Sequence, residues 1–105
     1  MKNLFFSNPT LSTEVQKAVT EMGFEEATPI QARAIPYILA GRDIIGQAMT
    51  GTGKTCAYGI PAVDMIDESL PGIQVLILCP TRELAVQVAE ELQAVSRFKK
   101  NVRIL

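Results

Sequence analysis

The chain has 105 residues, nearly half of them apolar, which is enough for one small domain with its own core but not for two. The 10 basic side chains against 11 acidic ones leave a net charge of −1. There is thus no overall basic field to attract nucleic acid, and any such partner must be held by local groups. Histidine is absent and Cys56 and Cys79 are not in a metal-ligand spacing, which excludes an ordinary zinc site and leaves two small apolar thiols of a reduced protein.

The opening MKNLFFSNPT has too short an apolar core for a signal peptide, and no run reaches the length of a membrane span, so a soluble cytoplasmic protein is expected. Helices come first. Ser12 is placed to cap one whose apolar positions Val15, Ala18, Val19 and Met22 keep the three-and-four rhythm, with Glu14 in its first turn and Gly23 just past its end. Thr28 is placed to cap a second, with Pro29 at the first helical position and Gln31 three residues after the cap. Pro36 is expected to kink that helix or start another, and Gly41 to end it.

The period then changes. Asp43 to Ala48 predicts a buried strand, and Lys54 to about Glu68 a helix whose middle is disturbed by Gly59 and Pro61. A turn follows at Pro71-Gly72. Gln74 to Cys79, QVLILC, is apolar on both faces, as a strand covered on both sides of a parallel sheet must be. Leu84, Val88, Leu92 and Val95 form one stripe of a long helix, and Val102 to Leu105 predicts the start of a third strand. Strands alternating with helices predict an α/β fold. An apolar strand at the last residue predicts a truncated domain.

The stretch AMTGTGKT, Ala48 to Thr55, lies between the first predicted strand and its helix. Gly51 and Gly53 let the backbone turn several N–H groups inward, and those donors join the start of the helix to hold anionic oxygens. Lys54 places a charge on the outer phosphates and Thr55 offers a hydroxyl to Mg²⁺. The bland alternative is a turn with a chance lysine, but the G-x-G-K-[ST] pattern arises by chance in only roughly 0.4% of chains this long. The general pattern opens on glycine where this chain has Ala48.

That alanine carries a resemblance. A-x-T-G-x-G-K-T resembles the nucleotide loop of DEAD-box RNA helicases, with Met49 in place of the usual glutamine. Gly23 to Gln31, GFEEATPIQ, resembles their Q motif, with Ala27 in place of the more frequent proline and Phe6 at the expected distance upstream. Pro80 to Ala85, PTRELA, matches their motif Ia.

The resemblance implies a P-loop NTPase core: a RecA-like parallel sheet with flanking helices, present here as an incomplete first domain. Residues 1–41 would form the Q-motif region and residues 42–105 the first part of the P-loop core. It implies ATP and Mg²⁺ as cofactors. Ala48, Met49, Thr50, Gly51, Thr52, Gly53, Lys54 and Thr55 would hold the phosphates, with Lys54 and Thr55 serving the chemistry and Thr55 also serving the metal. Gln31 would read adenine and Phe6 would stack near it; the bland roles are half of a capping box for Gln31 and a core anchor for Phe6. Pro80, Thr81 and Arg82 would meet RNA phosphates, contacts that carry no base sequence. The bland role of Thr81 is an N-cap, and that of the basic run Arg97, Lys99, Lys100 and Arg103 is a solvated helix end.

Phosphoryl transfer needs more: a second Mg²⁺-coordinating acid, a group that positions water and an arginine on the transferring phosphate. In the family the first two come from the D-E-A-D motif, which occurs nowhere in this sequence. Asp64, Asp67 and Glu68 read as surface acids on the helix after the loop. The expectation is a helicase fragment that binds Mg-ATP and RNA without turnover, and that either is marginally stable alone or self-associates through unpaired sheet edges. The alternatives are another P-loop enzyme, such as a small-molecule kinase or a GTPase, and a non-catalytic nucleotide-binding module.

Overall fold

Helices start where a side chain takes over the first N–H groups, which have no acceptor within the helix. In the computed structural model, which describes residues 11–23, 27–47 and 54–105, Ser12 Oγ accepts from Val15 N at 3.4 Å and opens α1, Thr13–Glu21. Gly23, with φ +88°, takes the left-handed exit that a side chain resists. Thr28 opens α2, Pro29–Leu39, with Pro29 at the start, where its missing N–H costs nothing. Pro36, where a kink or a second start is expected, lies inside this one continuous helix. Its ring removes a single i→i−4 bond, and the ladder resumes at once, Ala40 N donating to Pro36 O at 3.1 Å.

The third helix, α3, spans Lys54–Met65 and runs through both Gly59 and Pro61. It stops short of the expected Glu68. Asp67 and Glu68 therefore lie in the turn beyond it, where Asp67 Oδ1 accepts from both N and Oγ of Ser69. Gln74 closes the loop from the far side: its Oε1 accepts from Asp67 N and its Nε2 donates to Asp67 O. The fourth helix, α4, spans Arg82–Val95 and is capped by Thr81. Of its predicted stripe, Val88, Leu92 and Val95 are buried while Leu84 is exposed, so the first half of α4 stands clear of the core.

The core is a single cluster built around α3. Cys56, Ile60 and Val63 meet Leu11, Val15 and Val19 from the α1 side, Ile35 from α2, and Val88, Leu92 and Val95 from α4. Burial of such side chains stabilises by about 1.5–3 kcal/mol each.

The expected strands differ. Among the described residues none of 43–47, 74–79 and 102–105 joins a β-ladder. In the last two the side chains nevertheless alternate. Ile77, Cys79 and Ile104 pack against the helical core, while Leu76, Leu78 and Leu105 face outward, and Ile45 is 99% exposed. In 74–79 and 102–105 one face packs against the helices and the other is open, whereas 43–47, expected as a buried strand, is exposed throughout. A ladder needs a neighbouring backbone, and the segments do not supply one to each other.

Candidate nucleotide and RNA sites

The candidate residues that the structure describes lie at two helix starts and one capped turn. At the turn, Thr28 N donates to Gln31 Oε1 at 2.9 Å and Gln31 N donates to Thr28 Oγ1 at 3.4 Å, a complete capping box. Gln31 is 2% exposed. The capping role expected as the bland alternative is therefore present, and it holds the amide in one orientation. Phe6 lies outside the described residues, as do Ala48, Met49, Thr50, Gly51, Thr52 and Gly53.

Lys54 and Thr55 are the first two residues of α3, with Lys54 exposed and Thr55 half-buried. The first turn of a helix presents N–H groups and the positive end of the dipole, which suits an anion. An ammonium and a hydroxyl at the same place are the donor set that a Mg-nucleotide requires, so the residues fit that ligand. Burial pushes the Tyr58 hydroxyl, one turn on, above its ordinary range, and the neighbouring Thr55 side chain works the other way. Tyr58 is absent from the sequence reading, although the i, i+3 spacing was available to find it. Among the described residues no group of three His, Cys, Asp or Glu side chains converges as a metal site.

Cys56, the next residue, is buried, and its Sγ donates to Glu91 Oε2 of α4 at 3.9 Å. Burial first, then the Glu91 charge and hydrogen bond, push the thiol up to about 12. It is the inert apolar thiol expected from the sequence; Cys79 is only half-buried.

The start of α4 holds the other group. Thr81 Oγ1 accepts from Leu84 N at 3.1 Å, so its expected capping role is present. Pro80, Thr81 and Arg82 are all exposed, with Arg82 in the first turn. Further along, Cys56 meets Glu91 and Gly59 meets Leu92, so contacts advance together along both helices, which therefore run in parallel.

Two expectations are corrected. Lys99 is not a solvated charge, since its Nζ donates to the carbonyls of Val63, Asp64 and Ile66 at the end of α3. Asp64 is not a free surface acid, because its Oδ1 accepts from Ser12 N at 2.7 Å and ties α3 to the cap of α1. Neither contact has a sequence signature, because each joins residues more than 30 positions apart. No helix among the described residues is long and apolar enough to cross a membrane.

Comparison with known proteins bears on this arrangement. The family model described as DEAD/DEAH box helicase matches residues 28–105. The DEAD-box ATP-dependent RNA helicase CshA of Bacillus licheniformis is 55% identical over 95 residues, covering 90% of this chain and 20% of that protein. Its Bacillus subtilis counterpart is 54% identical over 95 residues, covering 90% and 19%. The chain thus spans about a fifth of the length of these relatives. A DEAD box protein from Methanococcus jannaschii superposes with a TM-score of 0.87 at 39% identity, over 97% of this chain and 28% of that one. A variant of S. cerevisiae Dbp5 solved with RNA and ADP BeF3 gives 0.88 at 33% identity, over 95% and 26%. The neighbours show the fold to be the RecA-like α/β type in incomplete form; among the described residues its four helices are in place and no β-ladder is formed.

Proposed function

Because this chain belongs to the DEAD/DEAH box helicase family, we propose that it forms the opening part of the first RecA-like domain of a cytoplasmic ATP-dependent RNA helicase. Residues 1–41 are its Q-motif region and residues 42–105 the start of its P-loop core. When bound, Mg-ATP would supply the transferable phosphoryl group and a cation that offsets its charge. Residues Ala48 to Gly53 and the N–H groups of the first turn of α3 would hold its phosphate oxygens, Lys54 would neutralise them, and Thr55 would offer its hydroxyl to the metal. Gln31, held by Thr28, reads the adenine edge, with Phe6 beside the base.

Pro80, Thr81 and Arg82 take an RNA phosphate at the start of α4. A helix N-terminus and a guanidinium recognise backbone rather than base, which suits an enzyme acting on many RNAs. The 105 residues alone bind without turnover, because the D-E-A-D motif, which in the family supplies the second acid and positions the water, occurs nowhere in them.

The observation that supports this function best is the placement of Lys54 and Thr55 in the first turn of α3, directly after the Gly-rich stretch of the sequence. Isothermal titration of the folded chain with Mg-ATP tests it. Heat of binding that Lys54→Ala abolishes is expected; a folded chain giving no heat, or binding indifferent to Lys54→Ala, overturns the phosphate site. ATP hydrolysis by the chain that single-stranded RNA stimulates would refute the claim of silence.

A further inference from the structure

Lys99 has no part in the contacts proposed above, yet its ammonium is fully engaged. Nζ lies 2.9 Å from Val63 O, 3.3 Å from Asp64 O and 2.9 Å from Ile66 O. An ammonium has three donors, and these carbonyls take all of them. They close the C-terminal end of α3, where unbonded acceptors and the negative end of the helix dipole gather. A basic residue after a helix normally serves that helix. Lys99 follows the end of α4 at Val95 and serves α3 instead.

The same end of α3 is held from the α1 side, where Asp64 Oδ1 accepts from Ser12 N. Midway along the α3–α4 contact, a Cβ on Gly59 would meet Leu92 Cδ2 at 2.8 Å, so the helices interlock there as well. Between these fixed points α3 cannot slide along its axis without breaking charge-assisted bonds.

We infer that Lys99 is a positioning residue for the nucleotide site: it pins the trailing end of α3 to the tail of α4. It thereby fixes the helix that opens on Lys54 and Thr55 relative to the helix that opens on Arg82. The inference rests on the proposed nucleotide contact at Lys54 and Thr55. A helix rises about 1.5 Å per residue and moves as a rod, so an axial shift at Val63 to Ile66 is delivered to Lys54 undiminished.

The test uses this chain, Mg-ATP as ligand, and three variants compared at a temperature where circular dichroism shows each to be folded. Lys99→Met keeps the stem and removes the charge, Lys99→Arg keeps the charge, and Val19→Ala destabilises the core in α1 without touching Lys99. Lys99→Met is expected to raise the Mg-ATP Kd by about fivefold or more, Lys99→Arg to recover part of that loss, and Val19→Ala to change it by less than about twofold. A merely structural lysine would lower the stability of Lys99→Met as Val19→Ala lowers it and leave the Kd of the folded protein alone. Wild-type binding that Lys99→Met leaves unaltered therefore overturns the inference by itself. No binding by the folded wild-type chain overturns the nucleotide site and the inference with it. If Lys99→Met does not fold, amide exchange of the wild type decides. Mg-ATP should slow exchange at residues 63–66 as well as at 54–57, and slowing confined to 54–57 overturns the inference.

Discussion

Gly59 and Leu92 approach so closely that a Cβ on the glycine would lie 2.8 Å from Leu92 Cδ2. Glycine inside a helix gives up about 0.8–1 kcal/mol relative to alanine. Overpacking a filled core costs about 1–3 kcal/mol. The second effect wins, since Leu92 is itself buried, so Gly59→Ala should lower stability by about 1 kcal/mol. Leu92→Ala alone should cost about 2–5 kcal/mol by leaving a cavity. The double variant should cost at least about 0.5 kcal/mol less than the sum, because each change relieves the other. Urea unfolding of the four proteins measures this, and strict additivity would mean the helices do not touch there.

The reciprocal bonds of Thr28 and Gln31 let structure and recognition be separated. Thr28→Ala loses the cap and should cost about 1 kcal/mol. Gln31→Ala loses the other half of the box and the proposed adenine contact as well. Both should destabilise α2, but only Gln31→Ala should reduce the preference for ATP over GTP in competition binding. Equal selectivity in the two variants would leave Gln31 a capping residue and nothing more.

Cys56 makes a prediction with a definite sign. A thiol that stays neutral up to about 12 in the folded chain, against 9.0 for an unperturbed one, contributes stability that is fully present below pH 9.0 and is lost as pH rises toward 12. Cys56→Ala should therefore narrow its stability gap to the wild type when unfolding is measured above pH 9.0 rather than below it. At neutral pH, iodoacetamide should modify half-buried Cys79 before buried Cys56, read by mass spectrometry of tryptic peptides. The reverse order would contradict the packing of Cys56 against Glu91.

At the start of α4 the two neighbours have separable effects. Thr81→Ala removes the bond to Leu84 N and should cost about 1 kcal/mol of stability. Arg82→Ala should leave stability nearly unchanged, weaken binding to single-stranded RNA of any sequence, and shallow the salt dependence by about 0.7 log units per log unit for one lost phosphate contact. An unaltered slope would remove Arg82 from the RNA contact.

What the sequence made legible was local. Ser12, Thr28 and Thr81 announced three helix starts because a cap and its N–H lie within three residues of each other. The burial of Val88, Leu92 and Val95 followed from their spacing. The end of α3 was misplaced because its terminator, Lys99, comes from more than 30 residues away. Gln74 to Cys79 showed its apolar character correctly, but a residue pattern cannot say whether a strand's neighbours are present. The phosphate loop was recognised as a motif, and of its residues only Lys54 and Thr55 fall within the described part of the structure.

The open face of that same segment yields the last prediction. Leu76 is 76% exposed and Leu78 is 86% exposed, while Ile77 between them packs against the core. Adjacent apolar side chains left in water favour contact with another apolar surface, and a backbone outside any ladder offers donors and acceptors to a second chain. We propose that the isolated chain associates with copies of itself through this face. Light scattering should show a mass that rises with concentration. Leu76→Lys with Leu78→Lys should return a monomer at little cost in stability, because both side chains point away from the core. Ile77→Lys should instead destabilise the chain, since Ile77 packs against the helical core. A wild-type monomer at every concentration, melting cooperatively, would show that the exposed leucines drive no association.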